Sequence, residues 1–239
     1  MTIERGYIIP AFGQVYEDCA KQLADSIKQH HANAHVTIVT TSMLPYGDLG
    51  GFANDWQMFF VSPYRQTIKL EADMIAAGPI DHWWNLFALR DVVISQGCRN
   101  IYNQTATTRA YRHLFDANSL PDVYNAITYW RKSHLAKEFF MLVKKIFENW
   151  NQYKKLLKFP ETSPSTDVVY AMAAVIMGVE NVTLPPGLGP KIVHMKRAVL
   201  ETSQEDWTQE LIWEKDPFRI NTYVQSGFVH YYVKDWRMQ

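Results

Sequence analysis

Within its first 75 residues the chain switches hydrophobic period from strand to helix and back, and this alternation restricts the fold more than any other feature. Tyr7-Ile8-Ile9 is a short apolar run ended by Pro10, which reads as a buried strand. From Val15 the apolar residues recur at Cys19, Leu23 and Ile27, with Lys21, Asp25 and Lys28 off that stripe, which is the spacing of an amphipathic helix. His35 to Thr40 returns to a strand pattern. Strand, helix and strand in this order predict a parallel pair joined by a right-handed crossover, and hence an α/β fold. Residues 42–63 contain Pro45, Gly47, Gly50, Gly51 and Pro63 and read as a loop over the sheet edge. Gln66-Thr67-Ile68-Lys69-Leu70 resumes the strand pattern and runs directly into Glu71-Ala72-Asp73.

Further along, Asp91 to Ser95 reads as another short strand. One long helix is predicted by apolar residues at Leu135, Phe139, Leu142, Ile146, Trp150, Tyr153 and Leu157, with Ser133 as its N-cap. Ser165 or Thr166 caps a third helix through Met177, and Gly178 is placed to stop it. Lys191 to His194 is strand-like, and Tyr223-Val224 and Phe228-Val229 flank Gln225-Ser226-Gly227 as a hairpin. No internal repeat or linker divides the 239 residues, so the chain reads as a single domain over 1–239 with a mixed, mainly parallel central sheet flanked by helices.

Composition excludes several classes. With 47% apolar residues the chain is rich enough to bury a core, unlike a disordered protein. Lys+Arg 24 balances Asp+Glu 24, so the molecule as a whole has no bias towards nucleic acid or anionic lipid. Two cysteines, Cys19 and Cys98, are too few for a disulfide framework and fit a reducing, cytoplasmic setting. The longest apolar run, Val168 to Val179, spans about a dozen residues against roughly 20 for a bilayer crossing, and Glu4 and Arg5 interrupt any signal-peptide pattern. The expectation is no membrane partner. There is no Gly-x-Ser-x-Gly, no Gly-x-x-x-x-Gly-Lys and no Gly-x-Gly-x-x-Gly, which removes the usual support for hydrolase, kinase and dinucleotide readings.

The segment Ile68-Lys69-Leu70-Glu71-Ala72-Asp73-Met74 carries the most chemistry. Ligands of open α/β sheets bind beyond the carboxyl ends of the strands. Two acids one residue apart at such an end can point to one side and offer oxygen ligands suited to Mg²⁺ or Mn²⁺. A cation there can hold a diphosphate and neutralise its charge as it leaves. The alternative is a pair of solvated acids that merely end a strand.

This segment resembles the Asp-x-Asp motif of nucleotide-sugar glycosyltransferases with the GT-A fold, with Glu71 where the first Asp usually stands. Gly6 to Phe12 is similar to that fold's first strand and nucleotide-binding loop, and Tyr16 follows in its usual place. Thr40-Thr41 comes after the second strand, where members contact base or ribose. Asn125-Ala126-Ile127 resembles an Asn-Ala-Gly segment on the acceptor side, and Asp167 stands where an acid often precedes a helix. Val193-His194-Met195-Lys196 resembles the late histidine segment of family-eight-like members. The resemblance covers about 6–200 and implies a UDP-sugar-dependent glycosyltransferase that uses Mn²⁺ or Mg²⁺. It implies metal ligands Glu71, Asp73 and His194, and donor contacts from Pro10, Ala11, Phe12, Tyr16, Thr40, Thr41 and Lys196. Arg65 and Lys69 bracket the strand and either assist the phosphates or are surface charges. Asp167 is implied near the sugar or acceptor hydroxyl as the catalytic residue. It divides the chain into a nucleotide-binding half at about 1–75, an acceptor half at about 76–205 and a C-terminal extension at about 206–239.

From Arg131 to Lys158 eight basic residues face only Glu138 and Glu148, with Trp130, Trp150 and Tyr153 among them. Basic residues interleaved with aromatics can track a phosphate backbone and stack on bases, or can be the solvated face of an amphipathic helix. On the first reading Asn125, Trp130, Arg131 and Lys132 touch an anionic acceptor; the chain's size is similar to that of phage glycosyltransferases that modify hydroxymethylated bases in DNA. Trp83, Trp84 and Phe87 either stack on a sugar or pack the sheet. Two rival functions use the same residues: a metal-dependent nucleotidyltransferase, and a non-catalytic nucleic-acid-binding protein.

Overall fold

The buried run Tyr7-Ile8-Ile9 lies in β1 (Ile3–Pro10), an inner strand of the main sheet. The computed structural model describes residues 3–99, 115–160, 162–185, 188–189, 192–194, 213–214, 219–220 and 227–231, with the backbone alone at 98–99, 192–194, 213–214 and 219–220. β1 is followed by helix α1 (Gln14–His30) and β2 (Val36–Val39), and β2 pairs parallel to β1 with Tyr7 opposite Val36 and Pro10 opposite Val39. β3 (Tyr64–Leu70) pairs parallel on the other side of β1, with Ile8 opposite Lys69. β7 (Val123–Arg131) joins β3 antiparallel, and β5 (Val92–Gln96) closes the sheet antiparallel to β7. The order is β2-β1-β3-β7-β5, so four strands run one way and β7 runs against them. The fold is α/β with a mixed sheet.

Strand period two splits the core between the two faces of this sheet. Tyr7, Ile9, Ile68, Leu70 and Tyr129 meet α1 and α3 (Asp81–Phe87) on one face. Ile8, Trp130, Val92 and Ile94 meet α4 (His134–Glu148) and α6 (Thr166–Met177) on the other. Each fully buried aliphatic side chain here contributes about 1.5–3 kcal/mol by leaving water. Trp83, Trp84 and Phe87 are buried, with rings against Phe228, Tyr7 and Tyr129 respectively, so they pack the sheet. Cys19 is buried on the α1 stripe.

The long helix read from 135 to 157 is two helices, α4 and α5 (Trp150–Leu157). Asn149 separates them by turning both its backbone and its side-chain N–H back to the Lys145 carbonyl, at 3.1 and 2.8 Å. Ser133 caps α4 as expected, accepting from Ala136 N at 3.1 Å, and Ser165 caps α6 through Val168 N. Gly178, at φ 85°, ends α6 before the short α7 (Val179–Val182).

Residues 42–63 form no open loop. Gly50 and Gly51 take positive φ and turn the chain into a 3₁₀ segment, Gly51–Gln57, followed by α2 (Met58–Val61). Asn54 Oδ1 accepts from Leu49 N and Gln57 Oε1 from Tyr46 N, which satisfies backbone groups that a loop would leave to water. Asn54 to Gln57 are consequently buried, and Asp55 is carried into the interior.

A second sheet has the order β4-β11-β8-β6, built from β4 (Met74–Ala76), β6 (Cys98–Arg99), β8 (Ile192–His194) and β11 (Phe228–His230). β9 (Trp213–Glu214) and β10 (Arg219–Ile220) form a separate pair. Phe228 to His230 pairs with β4 and β8, while Tyr223-Val224 lies outside the described residues. Among the described residues no helix is long and apolar enough to cross a membrane.

Candidate functional site

Glu71, Ala72 and Asp73 occupy the turn between β3 and β4, where one sheet passes into the other. Glu71 N donates to the Ala126 carbonyl at 3.1 Å, and Tyr231 N donates to the Asp73 carbonyl at 3.1 Å, so both sheets hold the turn. β11 then lays His230 over the acids. Its Nε2 is 3.1 Å from Glu71 Oε2 and 3.0 Å from Asp73 Oδ1, and the three ligand atoms lie within 4.8 Å of one another. Asp73 and His230 are buried, while the Glu71 side chain is 29% exposed. Two carboxylates this close repel each other unless a proton or cation lies between them. Two oxygens and one imidazole nitrogen are a donor set that could hold a divalent cation.

The acids border a cavity of about 510 Å³. One wall is Pro10, Phe12 and Tyr16 from the β1–α1 connection; the other is Gly51, Phe52 and Asp55 from the 3₁₀ segment; Lys69, Glu71, Ala72, Asp73 and Thr166 complete it. Phe52 and Tyr16 are exposed at the mouth, whereas Lys69, Asp55, Asp73 and Thr166 are buried below. Level strand ends explain the convergence: Pro10 pairs with Val39, and Ile8 with Lys69 next to Leu70.

Beneath the cavity lies a buried polar network. Lys69 Nζ donates to Asp55 Oδ1 at 2.5 Å, and Asn125 Nδ2 donates to Asp55 Oδ2 at 3.1 Å. The Tyr170 hydroxyl donates to the same Oδ2. Burial, reinforced by the Asp55 carboxylate, pushes the Tyr170 phenol well above its usual range, so it stays a donor. Thr128 Oγ1 donates to Asn125 Oδ1 at 2.8 Å, and Asn125 N donates to Asp167 Oδ1 at 2.8 Å.

Of the residues singled out in the sequence, the fold brings Glu71, Asp73, Pro10, Phe12 and Tyr16 to this cavity. Ala11 is buried behind it, its N–H bonded to the Val39 carbonyl at 2.9 Å. Thr40 pairs its hydroxyl with that of Ser42, and Thr41 is exposed; both stand outside the lining. Asn125 is fully buried in the network, and Asp167 is bonded to its backbone, so the cavity meets their neighbours Asp55 and Thr166 instead. The His194 side chain and Lys196 lie outside the described residues.

Four residues are placed away from the acids. Because β7 runs antiparallel to β3, Arg131 is opposite Gln66 at the far end of the sheet, about 17 Å from Glu71 at strand rise. Arg65 is at that end too, 3.7 Å from Glu4. Trp130 has 0% exposure and packs on Phe59 and Phe140, which leaves it no surface for an acceptor. Arg131 is paired with Asp91, and Lys132 is held by the Phe59 carbonyl with its ammonium 4.5 Å from the Phe59 ring centre. Burial lowers the Lys132 pKa.

His230 and Asp55 escape a reading of the sequence. A histidine ending the apolar pair Phe228-Val229 was the available signal for His230, yet His194 has the same context, and in the second sheet the two are register partners. Nothing in the composition of the 42–63 segment marks Asp55 as buried.

The sequence matches no family model and no curated protein. Among solved structures, the glycosyltransferase GlyE of Streptococcus pneumoniae TIGR4 aligns with 76% of this chain and 45% of its own, at 10% identity and TM-score 0.46. This chain thus spans less than half of GlyE. Mouse xyloside xylosyltransferase 1 aligns over 95% of this chain and 97% of its own, at 10% identity and TM-score 0.49. The galactosyltransferase LgtC, solved with donor and acceptor sugar analogues, aligns over 95% and 86%, at 9% identity and TM-score 0.49.

Proposed function

We propose that the protein is a metal-dependent glycosyltransferase that moves a sugar from a UDP-sugar donor to an acceptor hydroxyl. The carrying observation is the cluster of Glu71, Asp73 and His230 at the edge of a cavity large enough for a nucleotide sugar. Glu71 and Asp73 oxygens and His230 Nε2 hold the cation, and His230 must be neutral at that nitrogen to do so. Bound there, Mn²⁺ supplies positive charge opposite the departing diphosphate. Residues 1–75 build the nucleotide side. Phe12 and Tyr16 offer ring faces to the base, while Thr40 and Thr41 follow Val39 beside that wall. Lys196 is assigned to the diphosphate through the resemblance of its segment. Asp167 fixes the first turn of α6 against Asn125 and so sets the position of Thr166 in the cavity wall. The placement of Arg131 and Lys132 gives a DNA acceptor no support, since both are tied down at the opposite end of the sheet.

The test is incubation with Mn²⁺ and a panel of nucleotide sugars, scoring nucleoside diphosphate release. Chelator-sensitive release of UDP supports the proposal. Pyrophosphate release from nucleoside triphosphates, without UDP release from any sugar nucleotide, would assign the site to nucleotidyl transfer instead.

A further inference from the structure

The buried ion pair below the acids is satisfied on one side only. Removing two charges from water costs several kcal/mol per ion unless the remaining lone pairs and protons find partners. Asp55 meets that condition, because one oxygen takes Lys69 and the other takes Asn125 and Tyr170. Lys69 does not. Its ammonium carries three N–H donors, and among the described residues Asp55 is its one hydrogen-bond acceptor, with the Tyr170 ring centre 5.7 Å from Nζ as a weaker contact. Lys69 is 1% exposed and nevertheless lines the cavity, so donors left over after Asp55 have the cavity as their outlet. It is the penultimate residue of β3, two before Glu71 in the turn, so its backbone stands about 7 Å back along the strand, and both residues line the cavity.

We propose that Lys69, steadied by Asp55, is a specificity-determining residue whose spare N–H donors take an oxygen of the donor's sugar. This rests on the reading of the cavity as a nucleotide-sugar site and adds to it which chemistry the sugar end meets. A diphosphate on a cation held by Glu71, Asp73 and His230 would leave the group attached to it to fill the deeper space. The pair presents a neutralised cation, a dipole and not a net positive charge. That suits a neutral sugar's hydroxyl or ring oxygen better than a uronate carboxylate. A buried donor that loses its acceptor is left unpaired, which is why sites built on such bonds discriminate strongly against ligands lacking the oxygen.

The experiment compares calorimetric affinities of UDP, UDP-glucose, UDP-galactose and UDP-xylose, all with Mn²⁺, for the wild type and for Lys69→Met/Asp55→Asn. Changing both partners avoids stranding one buried charge. The expected result is that UDP binds the two proteins within about threefold, while the affinity of the preferred sugar nucleotide relative to UDP falls at least tenfold in the double variant. An unchanged ratio, or an equal loss of UDP and sugar nucleotide, overturns the assignment. If the double variant does not fold, lysine-¹⁵N-labelled wild type gives the answer directly. The slowly exchanging buried ammonium signal should move on adding the preferred sugar nucleotide and stay in place with UDP, and a signal indifferent to both overturns the assignment. Failure of UDP and every sugar nucleotide to bind the wild type would remove the nucleotide-sugar reading itself, a different outcome from normal UDP binding with no role for Lys69.

Discussion

His230 Nε2 lies 3.0 Å from Asp73 Oδ1 although 157 residues separate them in the chain. β11 makes this join by pairing with β4, in which Met74 is the register partner of His230, so the strand following the acidic turn carries the histidine back to it. The acids come from local sequence and the imidazole from the far end of the chain, and a cation site requires both.

Replacing His230 by Gln is expected to weaken Mn²⁺ binding at least about tenfold, the scale on which metal affinity responds even to groups that only support the ligands. Asp73→Ala should abolish metal-dependent UDP release. Both variants should keep a wild-type circular dichroism spectrum, because the bond from Tyr231 N to the Asp73 carbonyl is made by backbone and survives. Wild-type Mn²⁺ affinity in both variants would place the cation elsewhere.

Lys69→Met alone strands the Asp55 carboxylate in the interior, so a loss of about 3–5 kcal/mol in denaturant unfolding is expected. Adding Asp55→Asn should recover most of it. If the double variant is no more stable than the single one, the two side chains are not coupled as a charge pair.

Gly6→Ala is expected to destabilise by about 1–3 kcal/mol, read as a fall of several degrees in the thermal midpoint. A Cβ at Gly6 would come within 2.3–2.5 Å of the Tyr64 ring. That ring cannot swing aside freely, since it reaches across β1 and its hydroxyl is 2.6 Å from Thr37 Oγ1 on β2. An unchanged midpoint would show that Tyr64 yields without cost.

His30 carries a pH dependence. Burial lowers its pKa below the ordinary 6.5, opposed by a hydrogen bond to the Ala76 backbone and assisted by the neighbouring His31. The unfolded chain therefore takes up a proton through the ordinary range while the folded ring stays neutral. Stability is full above about pH 6.5 and declines as the pH falls towards the folded value. His30→Phe should flatten the fall in thermal midpoint between pH 7 and 5; identical profiles for the two proteins would contradict it.

What the sequence shows is local, and what it hides is long-range. Period-two and period-3.6 patterns locate β1, α1, β2 and β3, and Ser133, Ser165 and Gly178 mark ends of α4 and α6, because each depends on residues within one turn or strand. The acidic turn is visible for the same reason. Asp55 is hidden because its burial depends on Asn54 and Gln57 wrapping the 46–49 backbone, an arrangement that a Gly- and Pro-containing stretch does not advertise. The direction of β7 is the most consequential long-range fact. Antiparallel to β3, it keeps Asn125 near the acids and sends Trp130, Arg131 and Lys132 to the opposite end, so residues close in sequence to a plausible acceptor segment stand far from the cavity.

The cation site is tested most directly by anomalous diffraction at the manganese edge from crystals grown with Mn²⁺ and UDP. A single strong peak within coordination distance of Glu71, Asp73 and His230, with the diphosphate against it and the base beside Phe12 or Tyr16, is the predicted result. A peak elsewhere, or UDP seated in the cavity with His230 still hydrogen-bonded to Asp73 and no metal between the acids, would contradict it.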